Sequence, residues 1–246
     1  MNKYIITLTK SKRSKALSNK MIKQAKSVGI TDIEIHPATD RYTAWQRYVS
    51  DNFKINDIRR FGAGFISSEI ATFFSHFDLW EKCIKLNEPI LILEHDAWFK
   101  TNPLNNIDSH ITEKTHIINL GIPNWGSMWS GEYPSDRKWL HESKGVVKRD
   151  ICKKKHDIFK VWNKKEGLCH CDRMWLFGAH SYIITPNGAS MLINETKNGI
   201  LPADIFIRQD IAINIYDYFP LSVKQQSKKS FIQRDKETNS TDQWDY

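Results

Sequence analysis

In the stretch PILILEHDAWF, residues 89 to 99, four aliphatic side chains in a row give way directly to Glu94, His95 and Asp96. A segment built for burial that ends in three ionisable groups needs a chemical reason. In extended backbone, residues two apart share a side, so Glu94 and Asp96 converge on one object while His95 turns away. Two carboxylates at that spacing suit a hard divalent cation, Mg²⁺ or Mn²⁺, that is held at the same time by a substrate's phosphate oxygens. A polar strand end satisfied by turn hydrogen bonds is the competing reading of the same residues.

A second group with ligand chemistry is Cys152, His156, Cys169 and Cys171, spaced C-x3-H-x12-C-x-C. Thiolates with an imidazole are zinc chemistry, and a structural Zn²⁺ would order a basic loop of low apolar content. The spacing matches no standard finger, so free thiols are the other reading. Around this group lie Lys144, Lys148, Arg149, Lys153, Lys154, Lys155, Lys160, Lys164 and Lys165, interleaved with Phe159 and Trp162. Such a pattern can follow a phosphate backbone and stack a base, or be a solvated lysine-rich face. The aromatic rings of Trp125, Trp129, Trp139 and Trp175 flank it and suit sugar rings as well as bases.

The elements that must position these residues follow from periodicity. KYIITL (3–8) reads as a strand, residues 14–29 as a helix closed by Gly29, and DIEIH (32–36) as a second strand. This is a βαβ unit and implies a parallel sheet. Residues 41–62 read as loop with some helix. Residues 67–87 carry Ile70, Phe73, Phe74, Phe77, Trp80 and Ile84 at helical spacing, with Ser67 or Ser68 as N-cap. That helix delivers the chain into the aliphatic run, which fits a central strand buried on both faces. Strands are expected at 115–121 and 180–185, a helix entered through proline at 186–199, and a helix or helix-like segment at 204–215. The pattern predicts one α/β domain over residues 1–226, with a basic, Trp-rich insertion at about 122–175 and a polar tail at 227–246.

The totals agree. With 246 residues, 40% of them hydrophobic and 12% aromatic, the chain can bury a core. No run approaches the roughly 20 apolar residues of a membrane-spanning helix, and the opening is too short in apolar residues for a secretory leader, so a cytoplasmic protein is expected. Four cysteines do not make a small disulfide scaffold. The net charge of +8 points to an anionic partner without choosing among nucleotide, lipid, glycan and nucleic acid.

A resemblance narrows the choice. SSEIATFFSHFDLWEKCIKLNEPILILEHDAWF resembles the signature of glycosyltransferase family 25, in which Glu, Ser-His and Trp precede a buried strand ending in Glu-Asp-Asp. The matching positions are Glu69, Ser75, His76, Trp80, Glu94, His95 and Asp96. GAHSYIITPNGASMLI resembles the family's Gly-x-x-x-Tyr-hydrophobic-Ser segment and the helix after it, PADIFI its Pro-Val-Asp, and YFPLSVKQ its strand ending in Gln, here Gln225. Residues 41–62 and 122–175 fall outside these blocks. His95 stands where the family usually has Asp.

The resemblance implies the fold called GT-A, a UDP-sugar donor, a divalent metal and inversion at the anomeric carbon. Glu94 and Asp96 would then bind metal and donor, Asp96 serving catalysis as well. His95 would either face away or act as a nitrogen ligand, which favours Mn²⁺. Asp204 matches the Pro-x-Asp position and would be the base that deprotonates the acceptor hydroxyl, or else a helix cap, with Asp172 and Asp210 as rivals. His180 would be a third metal ligand, a diphosphate contact or a hydrogen-bonded structural residue. His76 would support the Glu94–Asp96 loop. Thr7, Arg13 and Asp40 would lie where nucleoside or diphosphate sits, and the tryptophans would meet the acceptor.

Three readings follow: transfer of galactose or glucose to a saccharide such as lipooligosaccharide, transfer to hydroxylated bases in DNA, and a non-catalytic relative that binds UDP-sugar.

Overall fold

The computed structural model describes residues 1–55, 67–122, 145–148, 176, 179–208, 211–212, 214–219 and 222–226. β1 (Asn2–Thr7), α1 (Lys12–Ser27) and β2 (Ile33–Pro37) form the expected βαβ unit. Ser11 caps α1, its Oγ accepting the Ser14 N–H at 3.2 Å. Gly29, at φ +85°, turns the chain out of the helix in the left-handed conformation that costs glycine nothing. α2 (Arg41–Ser50) occupies the first half of the segment expected as loop with some helix. α3 (Ser67–Leu86) leads into β3 (Ile90–Glu94).

β3 stops at Glu94. His95 and Asp96 make a turn, and β4 (Ala97–Phe99) begins a different sheet. The expectation of one extended segment through Asp96 is therefore corrected. The aliphatic run itself has the expected cause: Ile90 and Ile92 enter the core beneath α3, while Leu91 and Leu93 enter the core on the opposite, α1 side.

The remaining strands are β5 (Ile117–Asn119), β6 (Gly121–Ile122), β7 (Gly145–Lys148), β8 (Ser181–Ile184), β9 (Ile215–Phe219) and β10 (Val223–Gln225). The large sheet has the order β2-β1-β3-β8-β5-β9-β7 and the small one β4-β10-β6. Pairing is parallel for β1 with β2, β1 with β3 and β5 with β9, and antiparallel wherever β8 or β7 takes part. The sheet is thus mainly parallel, with β8 and β7 running against the other five strands.

α4 (Pro186–Glu195) starts at its proline. Thr185 caps it, its hydroxyl accepting the Gly188 N–H at 3.2 Å. It ends at Glu195 and tightens into a 3₁₀ turn over Thr196–Asn198, four residues short of the expected helix. The helix expected over 204–215 is replaced by α5, a single turn at Ala203–Phe206, and by β9 from Ile215. The β-branched and aromatic residues of IYDYF at 215–219 were the strand signal. α5 docks on α3, with Phe206 stacked on Trp80 at 5.9 Å and edge-on to Phe73 at 5.2 Å. No helix among the described residues is long and apolar enough to cross a membrane.

Candidate active site

The carboxyl ends of β1, β2 and β3 lie along one edge of the sheet, and Glu94 is the last residue of β3. Because β8 runs antiparallel, its first residues reach the same edge. Leu93 pairs with Ser181, and the Glu94 N–H donates to the His180 carbonyl at 2.9 Å. β10 arrives from the other sheet, antiparallel to β4, with Gln225 opposite Ala97. The Asp96 turn is pinned between them: its carbonyl accepts the Gln226 N–H at 2.8 Å, and its Oδ2 accepts the Gln225 side-chain amide at 3.0 Å.

Glu94, Asp96 and His180 therefore come together, but by a turn and a sheet crossing rather than by strand alternation. Asp96 is 4% exposed and His180 1%. Burial, and then the charge of Glu94, push the Asp96 carboxyl up to about 6. Burial works in the same sense on Glu94, but the His76 hydrogen bond and the nearby His76, His180 and His95 rings outweigh it and hold this carboxyl below its ordinary value. The two acids are thus driven apart, one toward the protonated and one toward the ionised form.

Two lone-pair atoms in this group are buried without a hydrogen-bond partner: Asp96 Oδ1 and His180 Nδ1. His180 Nε2 lies 3.4 Å from the Val223 carbonyl, which can only accept, so the proton of the neutral ring belongs on Nε2 and Nδ1 carries the lone pair. An oxygen and a nitrogen with buried free lone pairs suit a cation, and the mixed donor set suits Mn²⁺ better than Mg²⁺. Among the described residues no three or more His, Cys, Asp or Glu side chains are gathered into a cage for a metal. The fit lies in donor type and burial, and further ligands would come from a diphosphate and water.

His95 stands beside Glu94 and Arg13. Burial lowers its pKa, the Glu94 charge opposes this, and the Arg13 guanidinium adds to it. Arg13 thus lies close enough to His95 to act on it at this end of the sheet. Thr7 does not present its hydroxyl there: it is fully buried and bonded to Ser18 Oγ at 2.7 Å, inside the α1 interface. Asp40 is the cap of α2, accepting the Thr43 N–H at 3.0 Å and the Thr43 hydroxyl at 3.1 Å. The Thr43 backbone bond is the main cause of its lowered pKa. Both side chains thus have structural roles, Thr7 within the α1 interface and Asp40 as the cap of α2.

Asp204 is half-buried on the first turn of α5. Pro202 occupies the capping position of α5 and makes no side-chain cap, and Asp204 stands in the first turn of that helix. Trp125, Trp129, Trp139 and Trp175, the group Cys152, His156, Cys169 and Cys171, and Asp172 and Asp210 lie outside the described residues.

His76 meets the site from α3, fully buried, with Nε2 3.4 Å from Glu94 Oε1 and Nδ1 2.9 Å from the Tyr182 hydroxyl. The resemblance marked the positions of both Tyr182 and Gln225, but sequence reasoning gave Tyr182 no role at the site. The signal available for Tyr182 was a polar aromatic in an otherwise aliphatic buried strand, SYII.

A family model described as glycosyltransferase family 25 (LPS biosynthesis protein) matches residues 1–207. A "Glycosyltransferase 25 family member" of Anopheles gambiae is 26% identical over 200 residues, covering 76% of this chain and 28% of that protein. The chain thus spans less than a third of the length of this relative. Among solved structures, the galactosyltransferase LgtC in complex with donor and acceptor sugar analogs aligns at TM-score 0.43 and 10% identity, over 92% of this chain and 86% of that one. A glycosyltransferase involved in glycosylation of the major capsid of PBCV-1 aligns at TM-score 0.42 and 8% identity, over 96% and 98%. Likeness at these TM-scores decides nothing about activity. The match over residues 1–207 is of another kind, taking in α3, the Glu94–Asp96 turn, β8 and Asp204, and by it the chain belongs to glycosyltransferase family 25.

Proposed function

We propose that this protein is an inverting, metal-dependent glycosyltransferase of GT-A type, formed by one domain over residues 1–226. It moves a hexose, galactose or glucose, from a UDP-sugar to a hydroxyl of a saccharide acceptor such as lipooligosaccharide. The observation that carries the reading is the buried pair of unpartnered lone pairs, Asp96 Oδ1 and His180 Nδ1, beside Glu94 at the carboxyl edge of the sheet. Ligands of open α/β sheets bind at that edge.

Asp96 and His180 would hold a divalent cation, Mn²⁺ by the donor set, with Glu94 adding negative charge beside them. When bound, the cation neutralises the charge that builds on a departing diphosphate. The chain's own part is to hold and orient. Gln225 fixes the Asp96 carboxylate and leaves Oδ1 for the ligand; the Val223 carbonyl keeps the His180 proton on Nε2; Arg13 adds positive charge at the same edge, where a diphosphate would gain from it. Asp204 is the proposed base, taking the proton of the acceptor hydroxyl. Acceptor contacts are assigned to Trp125, Trp129 and Trp175. The description of the family model as an LPS biosynthesis protein favours the saccharide acceptor. The DNA reading draws on a basic stretch that lies mostly outside the described residues and has no support from the relatives.

The test is UDP release from a panel of UDP-sugars, with Mn²⁺ or with EDTA, with and without oligosaccharide acceptors. Release selective for one sugar, abolished by EDTA and by Asp96→Ala, supports the reading. Metal-dependent turnover that survives Asp96→Ala in full defeats it. Asp204→Asn should lose turnover while its melting temperature stays within a degree or two; retained turnover would remove Asp204 as the base.

A further inference from the structure

Four side chains from three elements form one hydrogen-bonded line behind Glu94. Trp80 Nε1–H donates to the Tyr182 hydroxyl oxygen at 2.9 Å. The same hydroxyl is 2.9 Å from His76 Nδ1, and His76 Nε2 is 3.4 Å from Glu94 Oε1. Trp80, Tyr182 and His76 are each fully buried. The His76 and Tyr182 rings lie nearly parallel, 20° apart in plane.

The direction of each bond can be worked out from donor inventory. An indole N–H only donates, so one lone pair of the Tyr182 oxygen is spent on Trp80. If His76 carried its proton on Nδ1, the Tyr182 oxygen would accept twice and its own proton would have no acceptor within this line. His76 Nε2 would then turn a lone pair toward a carboxylate oxygen. With the proton on Nε2, both faults vanish: Tyr182 O–H donates to Nδ1, and Nε2–H donates to Glu94. A ring carrying both protons leaves the phenol proton stranded in the same way. Buried polar groups adopt the arrangement that satisfies them all.

We propose that Tyr182 and Trp80 are positioning residues for Glu94: the indole N–H orients the phenol, the phenol O–H fixes His76 in its Nε2–H form, and that proton holds the Glu94 carboxylate in place. Neither residue touches a ligand. The consequence for function rests on the reading of Glu94 to Asp96 as the cation and diphosphate site, whereas the tautomer itself does not. The line also explains why a tyrosine stands in the fully buried strand β8, where phenylalanine would fill the same space.

The test uses the full chain labelled with ¹⁵N-histidine, without metal or nucleotide. Long-range ¹H–¹⁵N correlation reports which His76 nitrogen is protonated, with His76→Gln identifying its signals. The wild type should show protonated Nε2 and an Nδ1 that accepts a hydrogen bond; in Tyr182→Phe the Nδ1 signal should move toward the value of an unbonded pyridine-type nitrogen. Mn²⁺ affinity with UDP present, read by electron paramagnetic resonance, should weaken about 10-fold in Tyr182→Phe, the range for loss of a group that orients a ligand. His76→Gln, which keeps an N–H donor near the Nε2 position, should retain more of that affinity than His76→Ala.

A wild type protonated on Nδ1 overturns the proposal, even if Tyr182→Phe does not fold. So does a Tyr182→Phe protein with the wild-type Nδ1 signal or with unchanged Mn²⁺ affinity. A wild type that shows the Nε2–H form but binds no Mn²⁺ with UDP present overturns the functional reading and the role assigned to Glu94, while the tautomer stands.

Discussion

The side-chain amide of Gln225 donates to Asp96 Oδ2 at 3.0 Å across 129 positions of sequence, and the unpartnered oxygen of that carboxylate is Oδ1. One oxygen is held so that the other is available. Replacing Gln225 by Ala should weaken Mn²⁺ binding about 10-fold and lower turnover with it, because outer hydrogen bonds of this kind set ligand orientation. Half-buried Gln225 fills little core, so the melting temperature should hardly change. Equal loss of stability and affinity would show that the residue only holds β10 to β4.

Acid should oppose cation binding through the same carboxylate. Burial first, and the Glu94 charge second, raise Asp96 from 3.8 to about 6. The folded protein without metal keeps a proton that the unfolded chain gives up between these values, so this group makes stability fall as pH rises from about 4 to about 6. Bound cation must displace that proton. Mn²⁺ affinity should therefore drop up to about tenfold per pH unit below about 6 and level off, for this group, above about 7. Titrations at about pH 5, 6 and 7 read the slope, and Asp96→Asn should flatten the part due to Asp96. Identical slopes in the two proteins would contradict the assignment.

Gly188 lets the first turn of α4 lie against the backbone of His116, the residue before β5. A Cβ there would sit 2.4 Å from the His116 carbonyl oxygen and 2.9 Å from its carbon, both backbone atoms that cannot step aside. Gly188→Ala should destabilise the fold by about 1–3 kcal/mol, an overpacking cost. For a chain of this size each kcal/mol moves the melting temperature by about 2–4 °C. Scanning calorimetry would measure it, and an unchanged melting temperature would mean that α4 can slide.

Cys83 should resist thiol reagents until the protein opens. It is fully buried, its Sγ is 3.3 Å from the Glu88 carbonyl, and burial pushes its pKa from 9.0 up to about 12. At a pH near 8 the thiolate fraction is then about a thousandfold below that of a free thiol, before access is counted. Maleimide labelling followed by peptide mass spectrometry should leave Cys83 unmodified in native protein and modified in urea. Rapid native labelling would mean that α3 opens locally.

How much of this was legible beforehand differs from element to element. The helical spacing in 67–87 and the aliphatic run at 90–93 each matched one period well, and both elements stand where expected. Glu94 and Asp96 were expected to converge by strand alternation. They do share a site, but through a turn, since β3 ends at Glu94 and Ala97 begins pairing with β10. The helix expected over 204–215 failed because apolar residues in DIFIRQDIAINI satisfy a helical period, whereas IYDYF, rich in β-branched and aromatic residues, finds β5 and β7 as partners. Thr7 and Asp40, expected near the nucleoside or diphosphate from their place in the first βα unit, also carry local bonds that sequence position does not show: a hydroxyl turned toward Ser18 and a carboxylate capping α2.

What residue order alone determined is the set of local elements with a strong period, the burial of β3 on both faces, and the chemical types of the ends: two carboxylates, a histidine-bearing helix, a glutamine at the end of a strand. These follow from side chains a few positions apart. Tertiary structure alone decided that β8 runs antiparallel and so delivers His180 and Tyr182 to the carboxyl edge, that Gln225 reaches Asp96, and that Trp80, Tyr182, His76 and Glu94 form one line. Strand direction depends on which edge is left open once the first strands have paired, and a buried lone pair has chemical meaning only after everything around it has taken its place.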